Sequence, residues 1–340
     1  MLKSSKSAKF FRMALWAALI ALSSVVFNAY ARLSEAGLGC PDWPGCYGKL
    51  FAPLTAQDIE RAKSYEGERK ETGERVWKET TQRAIAVSLA FVLLRLTVLG
   101  WQLKKRKRSQ QVLIPGMTAL LVASLTVLGV LTFTHRYKPL VQMMQIVGGM
   151  TVLALLWWIV MREQRFFRSV SASAIARSLR PRTLILLVFA SLQFALGGWS
   201  MVNYAGLACP DFPTCQGSWW PGMEVLDGFT LWQDLGIDYE SRLLNLPAAT
   251  ALHMAHRVGA LVTLLYGGWL AMHILRVGNE ENLCRYGLLV LIMLSFAAVL
   301  GVMQVVLHLP LAVAVGHSAA SALLLMSLVT LYHVVRAPKT

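Results

Sequence analysis

Apolar residues gather into eight stretches, near residues 11–31, 80–102, 112–134, 140–161, 183–203, 248–273, 286–307 and 311–334. Each approaches the roughly 20 residues that a helix needs to cross a bilayer core. Polar and charged residues collect in the intervals. The two longest intervals are residues 33–77 and 204–247, and the first has room for a short surface helix at Ala56–Tyr65. Two intervals are tight turns, His135-Arg136-Tyr137-Lys138-Pro139 and His308-Leu309-Pro310. The first stretch ends in Ala29-Tyr30-Ala31-Arg32, loosely like a signal-peptide cleavage site. It has a counterpart in the fifth stretch, so it is read as a retained span.

The chain repeats itself. Gly37-Leu38-Gly39-Cys40-Pro41-Asp42-Trp43-Pro44-Gly45-Cys46 follows the first stretch, and Gly206-Leu207-Ala208-Cys209-Pro210-Asp211-Phe212-Pro213-Thr214-Cys215 follows the fifth. Gln82-Arg83 in the second stretch answers His256-Arg257 in the sixth. Gln145 and His317 lie 63 and 61 residues further on. The expected fold is an all-α integral membrane protein, eight transmembrane helices as two homologous four-helix bundles. The halves are 1–161 and 183–340, joined by an Arg- and Ser-rich cytoplasmic linker, 162–182. Four spans per half is an even number, so both halves insert the same way round, related by an axis along the membrane normal.

Composition agrees with membrane insertion. Of 340 residues 56% are hydrophobic, with mean hydropathy +0.51. The net charge of +15 would suggest a nucleic-acid partner in a soluble protein, but its distribution gives another reading. One set of connections, with both termini, holds 19 Lys and Arg, and the opposite set holds 9. By the positive-inside rule both termini are cytoplasmic in a plasma (inner) membrane, and no nucleic acid is expected. The run Lys104-Lys105-Arg106-Lys107-Arg108 is a topology signal that touches the lipid bilayer surface. Of the 18 acidic residues, 14 lie in the two long outer segments.

Ionisable side chains inside lipid-length helices are costly and read as functional. His253 and His256 share one face of the sixth helix, three residues apart. His256 and His317 lie at similar depth on separate helices, as two axial ligands of one haem iron would. The plainer alternative is two interfacial histidines bonded to their neighbours. His253, one turn nearer the outer surface, is placed as a propionate partner or a support for the ligands. Arg257 has two readings, pairing with a haem propionate or snorkelling to the membrane edge. His135, His273, His308 and His333 are read as solvated or interfacial. Glu79, one turn from Gln82, is either a catalytic, proton-handling carboxylate or an acidic helix N-cap.

Cys40/Cys46 and Cys209/Cys215 are read as a disulfide in each outer loop, an oxidising location. A metal site is disfavoured by the lack of neighbouring ligands. A structural staple and a redox-active bond both remain open. Cys284 is expected to be an unremarkable thiol on the inner side.

Eight spans in two halves, the Cys-Pro-Asp-Trp-Pro-x-Cys loop and the His-Arg of the sixth helix together resemble the haem A synthase family, over almost the whole chain. The resemblance implies a haem b between His256 and His317 in the C-terminal half. It implies a substrate site for haem O in the N-terminal half. The family pattern there is Glu-x-x-His-Arg followed by a second His. This chain has Glu79-Thr80-Thr81-Gln82-Arg83 and Gln145, so Glu79 and Arg83 match while both histidines are replaced. The implied activity oxidises a methyl group of haem O to a formyl group in cytochrome oxidase biogenesis. Its implied partners are a haem O synthase (protohaem farnesyltransferase), an electron donor and cytochrome oxidase assembly factors; homo-oligomerisation is left open. A haem-binding assembly or carrier protein without hydroxylase activity is the rival reading. A transporter, suggested by the repeat alone, is disfavoured by the absence of a mid-membrane charge.

Overall fold

The structure is a computed structural model, and it describes residues 5–34, 73–104, 110–135, 138–163, 174–231, 244–277 and 283–336. Cys40, Cys46 and the surface helix expected at Ala56–Tyr65 lie outside the described residues. Eight long helices account for all eight predicted spans. They are α1 (Ser5–Leu33), α2 (Gly73–Lys104), α3 (Gln110–His135), α4 (Lys138–Glu163), α5 (Ala174–Val202), α6 (Leu246–Val277), α7 (Cys284–Val306) and α8 (Leu311–Val335). Helices are the natural outcome, because lipid offers no partner to a backbone amide and a helix satisfies every one internally. Buried hydroxyls obey the same constraint. Thr118, Thr183 and Thr263 each donate to the carbonyl four residues earlier, at 2.8–2.9 Å.

Each set of four consecutive helices closes into a ring, with α1 packed on α2 and α4, and α5 packed on α6 and α8. In the second ring α6 and α8 stand diagonally opposite. The rings meet where α8 packs on α1 and α4, and where α4 packs on α5. Two large apolar cores result among the described residues, with a smaller cluster of Trp199, Val202, Ala205 and Leu252 where the loop after α5 meets α6. Phe10, Leu93, Leu96, Leu153 and Leu156 fill the first, and Leu179, Leu186, Leu270, Ile274 and Leu331 fill the second. Ala322, Leu325 and Val329 of α8 belong to the first core, Leu324, Leu328 and Leu331 to the second. α8 is therefore the shared wall.

With apolar lipid outside, close packing and interhelical hydrogen bonds hold such a bundle rather than hydrophobic burial. Gly267 of α6 shows the packing: a Cβ there would stand 2.8 Å from Leu294 of α7 and 3.1 Å from Leu186 of α5. Trp157 Nε1 of α4 donates to Thr330 Oγ1 of α8 at 2.9 Å, tying the rings together. Such bonds average about 0.6 kcal/mol in a membrane.

The helices overrun several predicted boundaries. α4 runs to Glu163 and α5 starts at Ala174, so the ends of the expected linker 162–182 are helical. Ala176 and Leu179 are buried between exposed Arg177 and Arg180, an amphipathic turn stabilised by the second core. α2 begins at Gly73, which places Glu79 in its second turn.

Candidate functional site

The connection after α5 forms a compact loop beside the start of α6. It carries a short 3₁₀ turn, Ala205–Leu207, and a disulfide joining Cys209 to Cys215 (S–S 1.96 Å). Asp211 organises the tip. It accepts from the Thr214 hydroxyl, from Gln216 N–H and from Gly217 N–H at 3.1 Å. The Thr214 bond is the main cause of a carboxyl pKa below the ordinary value. Desolvation opposes the shift and the two amides reinforce it.

Three side chains of α6 face this loop and the ring interior. His253 is buried, and its Nδ1–H donates to Ala205 O at 3.0 Å. It fastens the turn after α5 and leaves Nε2 for another partner. Arg257 turns to the disulfide loop, a set of partners that neither expectation for it named. Its guanidinium donates to Asp211 O at 2.7 Å, Thr214 O at 2.8 Å, Cys209 O at 3.2 Å and Pro213 O at 3.4 Å. The planar fork of five donors gathers carbonyls that the tight loop turns inward.

His256, immediately before, is half-buried in the ring. Gln193 of α5 places its amide nitrogen 2.9 Å from His256 Nδ1, 3.4 Å from Nε2 and 3.0 Å from the His256 carbonyl. Exchanging the amide oxygen and nitrogen would set two oxygens against each other, so the nitrogen is correctly placed. Gln193 Oε1 is left buried without a partner. His317 of α8 donates Nδ1–H to Ala297 O of α7 at 2.9 Å, which puts the lone pair on Nε2. Each of the two imidazoles has room because it faces a glycine. A Cβ on Gly197 of α5 would meet His256 Cε1 at 2.9 Å, and one on Gly301 of α7 would meet His317 Cε1 at 3.2 Å.

The first ring has the same plan with other chemistry. Gln82 Nε2 donates to Ser24 Oγ at 3.2 Å, and Gln82 Oε1 is buried without a partner. Arg32 of α1 donates through Nε to Asn28 Oδ1 at 2.9 Å and through Nη2 to Gln145 Oε1 at 3.2 Å. Gly129 of α3 faces Gln145 as Gly301 faces His317, with a Cβ 3.0 Å from its amide nitrogen. Glu79 Oε1 accepts from both Nε and Nη2 of Arg83 at 3.2 Å. Its place in the second turn of α2 removes the N-cap reading, because only the first turn has unpaired amides.

The family profile described as "Cytochrome oxidase assembly protein" matches residues 11–329. A protein of Shewanella oneidensis named "Heme A synthase" is 34% identical over 307 residues, covering 90% of this chain and 91% of its own. The chain belongs to the haem A synthase family.

As a member of that family it is a multi-pass membrane protein with a role in cytochrome oxidase assembly. The structure brings His253, His256, Arg257, His317 and the Cys209–Cys215 loop to one end of the second ring, and Gln82, Gln145, Glu79 and Arg83 to the first. His333 is buried rather than solvated, with its ring edge-on to Trp158 at 5.2 Å. His273 stacks on Trp269 and accepts from Arg182 at 3.1 Å. Sequence reasoning missed Gln193, Gly197 and Gly301 around the histidines, and Ser24, Asn28 and Arg32 around the glutamines. The repeat could have exposed five of them. Aligning Gly37 with Gly206 pairs Ser24 with Gln193, Asn28 with Gly197 and Arg32 with Met201.

Proposed function

We propose that the protein is a haem A synthase-type oxidoreductase of an inner membrane, with both termini in the cytoplasm, that oxidises a methyl group of haem O to a formyl group by successive O2-dependent hydroxylations. Each inserts one oxygen atom of O2 and reduces the other to water with electrons from an outside donor, and the last product loses water to leave the formyl group. One observation carries the reading: two imidazoles on diagonally opposed helices enter the second ring, each given space by a glycine. The donor set fits a haem b. His317 is already oriented by a carbonyl on Nδ1, the support that metal-bound imidazoles usually have. For His256 the partnerless Gln193 Oε1 is the acceptor available to an Nδ1 proton, once a turn of the Gln193 side chain frees Nε2 for iron. Such a haem would supply one-electron transfer from an outside donor.

The protein's own groups give that site its direction. Arg257 and His253 fix α6 to the disulfide loop, so His256 is held from the loop side. Glu79, fixed by Arg83, is the carboxylate assigned to proton handling beside the first ring. The first ring, residues 1–161, would receive haem O from a haem O synthase; residues 183–340 would hold the relay haem. The product would pass to cytochrome oxidase assembly factors.

A second reading, a haem-binding assembly or carrier protein without hydroxylase activity, is favoured by the Arg32–Gln145 bond in the first ring. Co-expression with a haem O synthase in cells lacking haem A synthase decides between them. Haem A in the extract is the expected result. Haem O alone, with a bound b-type spectrum, would overturn the enzyme in favour of the carrier.

A further inference from the structure

The two rings are built on one plan and differ where an iron would be gripped. In the second ring an imidazole at 256 rests against Gly197, beside Gln193. In the first the corresponding positions are Gln82, Asn28 and Ser24. Where the second ring has the bare Gly197, the first has the side chain of Asn28. It does not stand idle there, because it accepts from Arg32 at 2.9 Å. Arg32 corresponds to the uncharged Met201, and its other donor holds Gln145 Oε1 at 3.2 Å. That oxygen is the only atom of Gln145 able to ligate a metal. A carboxamide oxygen is a poor ligand for haem iron, and this one already serves a guanidinium. The cation in turn opposes a second positive centre nearby. Four changes, at 28, 32, 82 and 145, therefore act in one direction.

We propose that the first ring does not ligate haem iron, and that Arg32, clamped by Asn28 and Gln145, is the element that replaces ligation. Any porphyrin received there is held by its ring and its carboxylates, and among the described residues the side chains that grip iron belong to the second ring. This rests on the haem reading of His256 and His317 for the second half of the statement alone.

The test is haem stoichiometry of the full-length protein, expressed with ample haem and purified in detergent. Haem is measured as the pyridine haemochrome and protein by amino-acid analysis. One low-spin haem per chain is expected, lost in His256→Ala/His317→Ala. Two per chain, or a low-spin spectrum surviving in that double variant, would overturn the proposal. No haem in the unaltered protein would remove the second-ring reading while leaving the first-ring proposal standing. The variant Asn28→Gly/Arg32→Met/Gln82→His/Gln145→His gives the first ring the second ring's side chains at these four positions. It is expected to raise the ratio from one to two. A ratio still at one, with the second-ring spectrum intact, would overturn the role given to these four residues. If the variant fails to fold, the ratio in the unaltered protein decides.

Discussion

Replacing Arg257 with Ala should release the disulfide loop from α6. The guanidinium holds four loop carbonyls, two of them at 2.7 and 2.8 Å and two at 3.2 and 3.4 Å. Hydrogen bonds from a charged donor contribute about 1.5–3 kcal/mol each. The carbonyls of a loop tip regain water when freed, so the low end applies, and the two long bonds add little. The two short bonds then amount to about 3 kcal/mol. At about 1.4 kcal/mol per tenfold, local opening should rise on the order of 100-fold. Hydrogen exchange read by mass spectrometry reports that opening directly, in peptides covering 205–218. Peptides from the middle of α7 serve as the internal reference and should not change. Arg257→Lys should fall between, because an ammonium keeps the charge but cannot span four carbonyls. Unchanged exchange in 205–218 for Arg257→Ala would refute the clamp. Loss of haem absorbance with that exchange unchanged would return Arg257 to the propionate role.

Two further outcomes are expected. Gly197→Ala places a methyl group 2.9 Å from His256 Cε1, whereas Gly268→Ala meets nothing within 4 Å. Overpacking of this kind costs about 1–3 kcal/mol, so haem affinity should fall about tenfold or more in the first variant and stay unchanged in the second. Equal affinities, by haem titration, would refute the close fit. Asp211 has a folded pKa below 3.8, so its contribution to loop order is full above 3.8 and is lost as pH falls through the lower folded value. Exposed Trp219 and Trp220 provide a fluorescence readout of the loop. The signal should be flat from neutral pH to about 4 and change below that. Asp211→Asn should abolish the acid step, and a step that persists would point to another group.

The spans were legible in the sequence because a lipid-length apolar run has one low-energy fate. The repeat was legible because two ten-residue loops share most of their residues. His256 and His317 stood out because an imidazole in such a run needs a reason. Their supports did not. Gln193, Gly197 and Gly301 are ordinary residues in transmembrane helices, and only packing shows that they touch a histidine ring. The loop partners of Arg257 and the place of Glu79 within α2 were out of reach for a related reason. A long charged side chain has many reachable partners, and the chain order does not rank them. The actual partners came from how tightly the disulfide loop folds back and from where α2 begins.

The sequence by itself determined the number of spans, their internal twofold plan and the residue types offered at each position of the plan. Those follow from the solvent, since lipid admits few alternatives to a helix. Tertiary structure alone decided which helices face each other, and so which offered groups meet. It put Arg32 on Gln145 across 113 residues of chain and Gln193 on His256 across 63. Such pairings depend on distances of a few ångströms between helices, and those distances are fixed only when the whole bundle has packed.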